Sequence, residues 1–322
     1  MHEVAVIIPC FNEELTIAKV VHDARRALPE ARIYVFDNNS TDRTADEART
    51  AGAEVIHSPR QGKGHVVRHA FRVVDADVIV MVDGDDTYPM DEAPKLVSLV
   101  LAENYDMVVG TRLSHFSAEA FRKFHLFGNR FLSRTVSSFF GQEVSDMLSG
   151  FRAFSRAFVE QVPLHSGGFE IETDLTLQAI SKNYSICETP IAYRHRPEGS
   201  FSKLKTFDDG FLILKFIFRL VRDYKPLQFF SVLATLCVCL GLIAGWAPVR
   251  DFVLHAYVYT VPRAILAAAL MLLGTVLFGV GLILDSQNRH FAEQFTGMQK
   301  LSERARRERE RAEKSANGRR AA

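Results

Sequence analysis

Three carboxylates follow directly on an apolar run in the first third of the chain. In DADVIVMVDGDDTYP (75–89), the run VIVMV is followed by Asp83, Gly84, Asp85 and Asp86. A continuous Val/Ile run is typical of a strand buried on both faces, and open α/β sheets bind ligands where such strands end. Neighbouring carboxylates repel one another unless a cation joins them, and Mg²⁺ or Mn²⁺ accepts carboxylate oxygens together with a ligand's phosphates. The segment indicates either a divalent-cation site for a phosphate-bearing ligand or an acidic turn that caps the next helix.

Two earlier strand patterns also end on residues that can bind a ligand. The first ends at Pro9, after which Phe11 could stack on a base and Glu13 could accept a hydrogen bond from it. The second ends on Asp37, whose carboxylate can accept from a base N–H. The alternatives are a core aromatic residue for Phe11 and an N-cap or Asx-turn for Asp37.

A lysine between two glycines adds a positive charge to this set. In RQGKGHVVRHAF, Lys63 stands at the expected start of a helix, and helix N-termini suit anions. The spacing of a P-loop is missing, so this is not a Walker motif. Lys63 therefore faces either a diphosphate or solvent.

Strand and helix patterns alternate in this part of the chain. The strand patterns EVAVIIP, ARIYVFD, AEVIHS, DVIVMVD and YDMVVGTR are separated by segments of helical spacing, one of them opened by Ser40 or Thr41. Such alternation predicts parallel strands joined by right-handed crossovers in a doubly wound sheet. A nucleotide is then expected at the carboxyl ends of the strands.

Two uncharged segments near the other end of the chain predict membrane helices. Residues 227–247 and 264–284 each contain no charged residue and reach the roughly 20 residues that a spanning helix needs. The connection at 248–263 carries few Lys or Arg, whereas both flanks are rich in them, so the positive-inside rule predicts cytosolic ends. The basic, Phe-rich segment 116–140 predicts amphipathic helices that lie in the membrane interface or pack on the first domain.

Composition limits the remaining classes of function. The 322 residues are 48% hydrophobic and 24% charged with a formal net charge of +1, which excludes a mainly disordered chain and gives no global sign of nucleic-acid binding. The 4 cysteines do not fall at metal-ligand spacing, so we expect neither a zinc site nor a disulfide framework.

Eight motifs together resemble one family. VIIPCFNEE, FDNNSTDRT, GKGHVVRHAF, VDGDDTYP, GTRL, SDMLSGFRAFSR, GFEIETDLTLQA and YRHRPEGSFSKLKTFDDG are similar, in this order, to the signatures of family-2 glycosyltransferases with a GT-A fold. The closer resemblance is to the polyprenyl-phosphate glycosyltransferases, the group that contains dolichyl-phosphate mannose synthase and bacterial undecaprenyl-phosphate glucosyltransferases. It covers roughly residues 3–210. DNNSTD departs from the family, which more often has a second Asp and a Gly, and this puts the base preference in doubt.

The resemblance implies a donor side for the site. Mg²⁺ or Mn²⁺ would be held by Asp83 and Asp85, with Asp86 or Thr87 completing the set, and Asp85 is counted as catalytic. The implied nucleotide-binding residues are Pro9, Phe11, Glu13, Asp37, Lys63, Asp83 and Gly84.

It also implies an acceptor side. Asp146 would act as a base or orient the acceptor, while Glu170 and Glu172 would contact the donor sugar or the acceptor. Because guanidinium and ammonium groups bind phosphate, the candidates for the acceptor phosphate are Arg112, Arg130, Arg152 and Lys203.

The implied activity is an inverting transfer of a sugar from a UDP-linked nucleotide sugar to polyprenyl phosphate, such as undecaprenyl phosphate, at the cytosolic face of the inner membrane. The alternatives are a polysaccharide or diacylglycerol acceptor, or a non-catalytic membrane scaffold. Small residues at Gly274, Gly279 and Gly281 could support packing within one chain or in a homo-oligomer.

The expected organisation is a catalytic domain (1–210), a juxtamembrane helix (211–226), two spans (227–247 and 264–284) around a non-cytosolic connection (248–263), and a charged cytosolic tail (285–322).

Overall fold

A computed structural model describes residues 2–112, 133–134, 137, 144–168, 170–194, 218–219 and 221–320, with side chains as far as Leu301 except that of Gln299. The chain divides into two units, residues 1–205 and 206–322. The predicted interfacial helices at 116–140 and the juxtamembrane helix at 211–226 fall mostly outside the described residues.

The first unit contains a mixed sheet of 7 strands in the order β3-β2-β1-β4-β6-β5-β7. All neighbouring strands pair in parallel except β6, which runs antiparallel to both β4 and β5. The mostly parallel sheet predicted from the alternating pattern is therefore confirmed, and the reversed strand lies beside the one that leads into the acidic loop. The strands are β1 (Val4–Cys10), β2 (Arg32–Asp37), β3 (Glu54–His57), β4 (Val78–Met81), β5 (Met107–Thr111), β6 (Arg152–Ser155) and β7 (Ile186–Pro190).

Six α-helices of the described part of this unit cover the sheet: α1 (Ile17–Ala27), α2 (Thr44–Thr50), α3 (Lys63–Val73), α4 (Ala93–Ala102), α5 (Arg156–Gln161) and α6 (Ile171–Ser181). Every residue of β4 is buried, as its unbroken apolar run predicts. Helix α2 begins later than expected from the sequence. Ser40 and Thr41 are instead bonded to Asn12 in the loop after β1, so they join two loops and do not open the helix.

The second unit contains two long apolar helices, α7 (Pro226–His255) and α8 (Val261–Arg320). Two segments are long and apolar enough to cross a membrane: the whole of α7, with its 30 residues, and the stretch Val261–Met298 of α8. Large apolar side chains such as Ile243, Trp246 and Leu272 are exposed along them. An exposed apolar surface of this extent suits lipid and not water.

Candidate active site

The loops that follow β1 and β2 are joined at the carboxyl edge of the sheet. The backbone N–H of Asn12 donates to Ser40 Oγ at 3.0 Å, and Thr41 N–H donates to Asn12 Oδ1 at 2.8 Å. Asn12 has φ +53°, a left-handed conformation that asparagine tolerates better than most residues. Glu13 N–H donates to Thr44 Oγ1 at 2.8 Å. Phe11 and Glu13, both half-buried, are thus held beside the end of β2.

Asn38 connects the end of β2 to the loop that precedes α3. Its amide nitrogen donates to the carbonyls of Ser58 at 2.8 Å and Arg60 at 2.7 Å, and its amide oxygen accepts from Gly62 N–H at 2.7 Å. Asn38 is buried and was not among the residues predicted from the sequence. An asparagine directly after a strand was the available signal, because its side chain can replace backbone partners in a loop.

Asp37 and Pro9 lie on neighbouring strands. Pro9 of β1 pairs with Phe36 of β2, so Pro9 lies level with the residue that directly precedes Asp37. Asp37 is buried, accepts from Ser40 N–H at 3.3 Å, and lies 3.7 Å from His57 Nδ1. The carboxylate of Asp37 therefore bonds within the turn that follows β2, to the residue three positions on, and this turn is tied to the loop of Phe11 and Glu13 by the bonds described above.

The carboxylates of the acidic loop after β4 differ in their surroundings. Asp85 is buried, and its Oδ1 accepts from Thr87 N–H at 3.2 Å and from Thr87 Oγ at 2.6 Å. Asp86, at φ +57°, bonds to Lys19 at 2.7 Å. Asp86 is thus engaged by α1, and Thr87 serves as a donor to Asp85. The expectation that one of these two residues completes a metal set is not supported by these contacts.

Lys63 joins the acidic loop to α6. Its Nζ lies 2.5 Å from Asp83 Oδ1 and also forms an ion pair with Glu172 Oε1. Burial alone lowers the pKa of Lys63, but the two carboxylates outweigh it and hold the pKa above its usual value. The lysine is therefore charged and faces carboxylates, so the interpretation of Lys63 as an exposed, solvated lysine is wrong.

The start of α3 is packed closely against the loop before α6. Gly62 has φ +123°, and a Cβ there would lie 2.2 Å from the carbonyl oxygen of Gly167. Gly64 N–H donates to Gly168 O at 3.0 Å, and His65 N–H lies 3.3 Å from Gly167 O. Because these N–H groups are bonded within the protein, they do not form the anion site that the sequence suggested. The side chain of the lysine between the glycines supplies the positive charge instead.

Arg112 and Asp146 form a second charged pair. Nε and Nη2 of Arg112 donate to Oδ2 and Oδ1 of Asp146, each at 2.9 Å, and the Arg112 backbone N–H also donates to Oδ2 at 3.1 Å. Burial alone would raise the pKa of Asp146, but the hydrogen bonds and charge of Arg112 outweigh it and lower the pKa. Both oxygens of Asp146 thus accept hydrogen bonds from Arg112, and the role of Asp146 in the reaction stays a prediction.

Arg152 does not reach a phosphate in this arrangement, contrary to its predicted role. It is fully buried on β6, where Nε donates to Ser149 O at 2.8 Å, Nη2 to Met147 O at 3.0 Å and Nη1 to Thr176 Oγ1 at 2.8 Å. Its donors face carbonyl and hydroxyl oxygens of the protein. Arg152 therefore supports the loop that carries Asp146.

Glu170 and Glu172 do not share a face. Glu170 is exposed at the residue before α6, whereas Glu172 is buried within the first turn of α6 and bonds to Lys63. Two residues that are two apart share a face only on a strand, so a helix separates them. Of the other predicted acceptor contacts, Arg130 and Lys203 lie outside the described residues.

The residues present fit a metal that is shared with a ligand. Within the described part of the chain, no group of three or more His, Cys, Asp or Glu side chains forms a cage. Asp83 keeps 26% of its side chain exposed, and Gly150 leaves room beside it, since a Cβ there would lie 2.5 Å from Asp83 Oδ2. Mg²⁺ is commonly bound by one or two carboxylates together with substrate phosphates. Asp83 and Asp85 suit that mode.

An open α/β sheet with an acidic loop, a buried lysine and loops joined at its carboxyl edge is the arrangement in which such folds bind a ligand. Comparison with known proteins agrees, because the model of glycosyl transferase family 2 matches residues 5–162. The chain belongs to glycosyl transferase family 2 and is a glycosyltransferase with a GT-A fold, as the motifs predicted.

Curated relatives cover most of the chain. A glycosyltransferase of Haloferax volcanii named AglJ is 32% identical over 282 residues, which cover 87% of this chain and 90% of that protein. The dolichyl-phosphate hexose transferase of the same organism is 33% identical over 223 residues, covering 69% and 96%. The polyprenol monophosphomannose synthase of Mycolicibacterium smegmatis is 28% identical over 211 residues, covering 60% and 78%.

Solved structures show the same fold at lower identity. The glucosyl-3-phosphoglycerate synthase of Mycobacterium tuberculosis has a TM-score of 0.56 and 22% identity, covering 68% of this chain and 80% of that one. The same enzyme in complex with Mn²⁺ and UDP-glucose also has a TM-score of 0.56, at 22% identity, covering 68% and 78%. At these identities the likeness concerns the fold alone.

Proposed function

We propose that this glycosyltransferase moves a sugar from a UDP-linked donor to polyprenyl phosphate, with inversion, at the cytosolic face of a membrane. The observation that carries the proposal is that one chain combines the acidic loop and Lys63 at a sheet edge with two helices of membrane-spanning length. The relatives named for dolichyl phosphate and polyprenol support a lipid phosphate as the acceptor.

On the donor side, Asp83 and Asp85 would hold Mg²⁺ or Mn²⁺, which when bound neutralises charge on the leaving nucleoside diphosphate. Phe11 and Glu13, beside the end of β2, would contact the base. Lys63 is the described cation nearest to Asp83 and would meet the diphosphate. The proposed nucleotide site also includes three residues at the carboxyl ends of neighbouring strands: Pro9 of β1, Asp37 of β2 and Gly84 after β4.

On the acceptor side, a phosphate oxygen attacks the anomeric carbon while the bond from that carbon to the nucleoside diphosphate breaks. Because the phosphate is already an anion, it needs positioning more than deprotonation. Arg112 keeps 21% of its side chain exposed while Asp146 behind it is enclosed, so Arg112 can present its guanidinium to the phosphate. Arg130 and Lys203 remain predictions for the same role, and the exposed Glu170 for contact with the sugar.

The membrane arrangement is proposed from the charges around α7 and α8. Spans at 227–247 and 264–284 with basic flanks would place the catalytic unit and the tail on the cytosolic side. For a bacterial cell this is the inner membrane, where an undecaprenyl-phosphate-linked sugar would serve envelope glycans or lipid modification.

The test is a transfer assay with full-length protein in detergent, undecaprenyl phosphate, Mn²⁺ or Mg²⁺ and a panel of labelled UDP- and GDP-sugars. We expect one donor to give a chloroform-extractable product that depends on the metal, and Asp85→Ala to abolish it while membrane insertion persists. Nucleotide binding without a lipid product would point to a polysaccharide or diacylglycerol acceptor. Absence of nucleotide binding would favour the scaffold and contradict the proposal.

A further inference from the structure

Lys63 is enclosed between two carboxylates that come from different elements. Asp83 belongs to the loop after β4, and Glu172 belongs to the first turn of α6. The side chains of Lys63 and Glu172 are 11% and 6% exposed, whereas Asp83 is 26% exposed. Of these three groups, Asp83 is therefore the one that a ligand can reach most readily.

The surrounding backbone limits where the lysine can go. Gly62 and Gly64 let the start of α3 approach the loop before α6, where Gly64 N–H donates to Gly168 O at 3.0 Å and His65 N–H donates to Gly167 O at 3.3 Å. This contact fixes the lysine backbone beside the start of α6, the helix that carries Glu172. Because the two carboxylates belong to different elements, a movement of the ammonium group away from Asp83 would not require its bond to Glu172 to break.

The bond to Asp83 occupies one of the two oxygens that this carboxylate could offer a metal. Lys63 Nζ lies 2.5 Å from Asp83 Oδ1. A divalent cation at that oxygen would stand within a few ångströms of the ammonium charge, where like charges repel strongly at reduced dielectric. A diphosphate brings negative charge to both cations and relieves the repulsion.

We propose that Lys63 is an internal counter-cation that competes with the divalent cation for Asp83 and yields to it only when a diphosphate is present. Metal and nucleotide then bind cooperatively, each raising the affinity of the other by the same factor. Glu172 acts as a positioning residue that retains Lys63 after it leaves Asp83. The inference rests on the metal site of the proposed function, but not on the identity of the sugar or of the acceptor.

The two charges predict effects of opposite sign on metal binding. Lys63→Met removes the competing charge at similar length, so affinity for Mn²⁺ without nucleotide should rise by about tenfold. The gain in Mn²⁺ affinity that UDP produces in the wild type should shrink in the same variant. Glu172→Gln removes the group that retains the displaced lysine, so affinity for Mn²⁺ alone should fall.

The experiment is a titration of full-length protein in detergent with Mn²⁺, with and without UDP, followed by the electron paramagnetic resonance signal of free Mn²⁺. Lys95→Met, at an exposed lysine of α4, is the matched control and should bind Mn²⁺ like the wild type. If Lys63 serves packing alone, Lys63→Met and Glu172→Gln should both lower the thermal midpoint and both weaken Mn²⁺ binding. That result would overturn the inference.

Two further outcomes separate the inference from its foundation. If wild type and Lys63→Met bind Mn²⁺ equally well and both respond to UDP, the inference is overturned while the metal site stands. If neither binds Mn²⁺ even with UDP, both the metal site and the inference are overturned. Should Lys63→Met fail to fold, Glu172→Gln still decides, because unchanged or higher affinity for Mn²⁺ in that variant contradicts the retaining role.

Discussion

Arg112 and Asp146 meet through two parallel hydrogen bonds of 2.9 Å, with the carboxylate fully enclosed and the guanidinium at the edge of the site. A bidentate pair of this kind holds the guanidinium plane in one orientation. Arg112 also lies over the ring of Tyr193, at 5.6 Å from its centroid. The carboxylate therefore positions the arginine, and contact between Arg112 and the substrate stays a prediction.

Asp146→Asn should destabilise the protein and misplace Arg112. The substitution keeps the size of the side chain but leaves a half-buried guanidinium without its counter-charge, which costs about 3 kcal/mol in comparable pairs. We expect a lower thermal midpoint and a higher KM for polyprenyl phosphate. Asp46→Asn is the control, since Asp46 pairs with Arg49 on the surface and should change the midpoint little. An unchanged midpoint in Asp146→Asn would contradict the importance of the pair.

The contribution of the Arg112–Asp146 pair to the free energy of unfolding should depend on pH only under acidic conditions. Burial opposes but does not prevent the lowering of the pKa of Asp146 by Arg112, so the folded state binds its proton less readily than the unfolded chain does. The contribution is then complete above the unfolded pKa of about 3.9 and is lost as pH falls through the lower folded value. Thermal midpoints of wild type and Asp146→Asn should differ most near neutral pH and converge below about pH 4. A difference that stays constant to pH 3 would refute this assignment.

Gly150→Ala should impair the metal site without unfolding the chain. The added methyl group would lie 2.5 Å from Asp83 Oδ2, a distance that forces the carboxylate to move. We expect the Mn²⁺ concentration for half-maximal activity to rise by about tenfold, equivalent to about 1.4 kcal/mol. Gly297→Ala is the control, because a Cβ at Gly297 meets nothing within 4 Å. Equal metal requirements in the two variants would exclude the predicted contact.

Arg152→Met should act through stability and not through the affinity for the lipid. The variant leaves the oxygens of Met147, Ser149 and Thr176 without their buried donors, at a cost of about 3 kcal/mol. Thermal unfolding in detergent measures this loss, and added polyprenyl phosphate should not restore activity. A variant of normal stability with a raised KM for polyprenyl phosphate would instead return Arg152 to the acceptor site.

Much of the fold could be predicted from local sequence. The apolar run before Asp83 predicts a buried strand because such a run has no polar face to present to water. The uncharged segments that became α7 and α8 predict membrane-length helices for a similar reason. Strands β6 and β7 were not predicted, since the antiparallel pairing of β6 and the pairing of β7 with β5 both depend on partners far away in the chain.

The sequence alone determined the GT-A fold, the family and the location of the acidic loop, because these depend on short motifs and on the period of apolar residues. Only the tertiary structure decided which cations face the site. Arg112 and Arg152 both belong to motifs of the same family, yet one lies at the edge of the site and the other is fully buried. Lys63 meets Glu172 across 109 positions of sequence, and a contact of that range arises from the packing of α3 on α6, which no local pattern encodes.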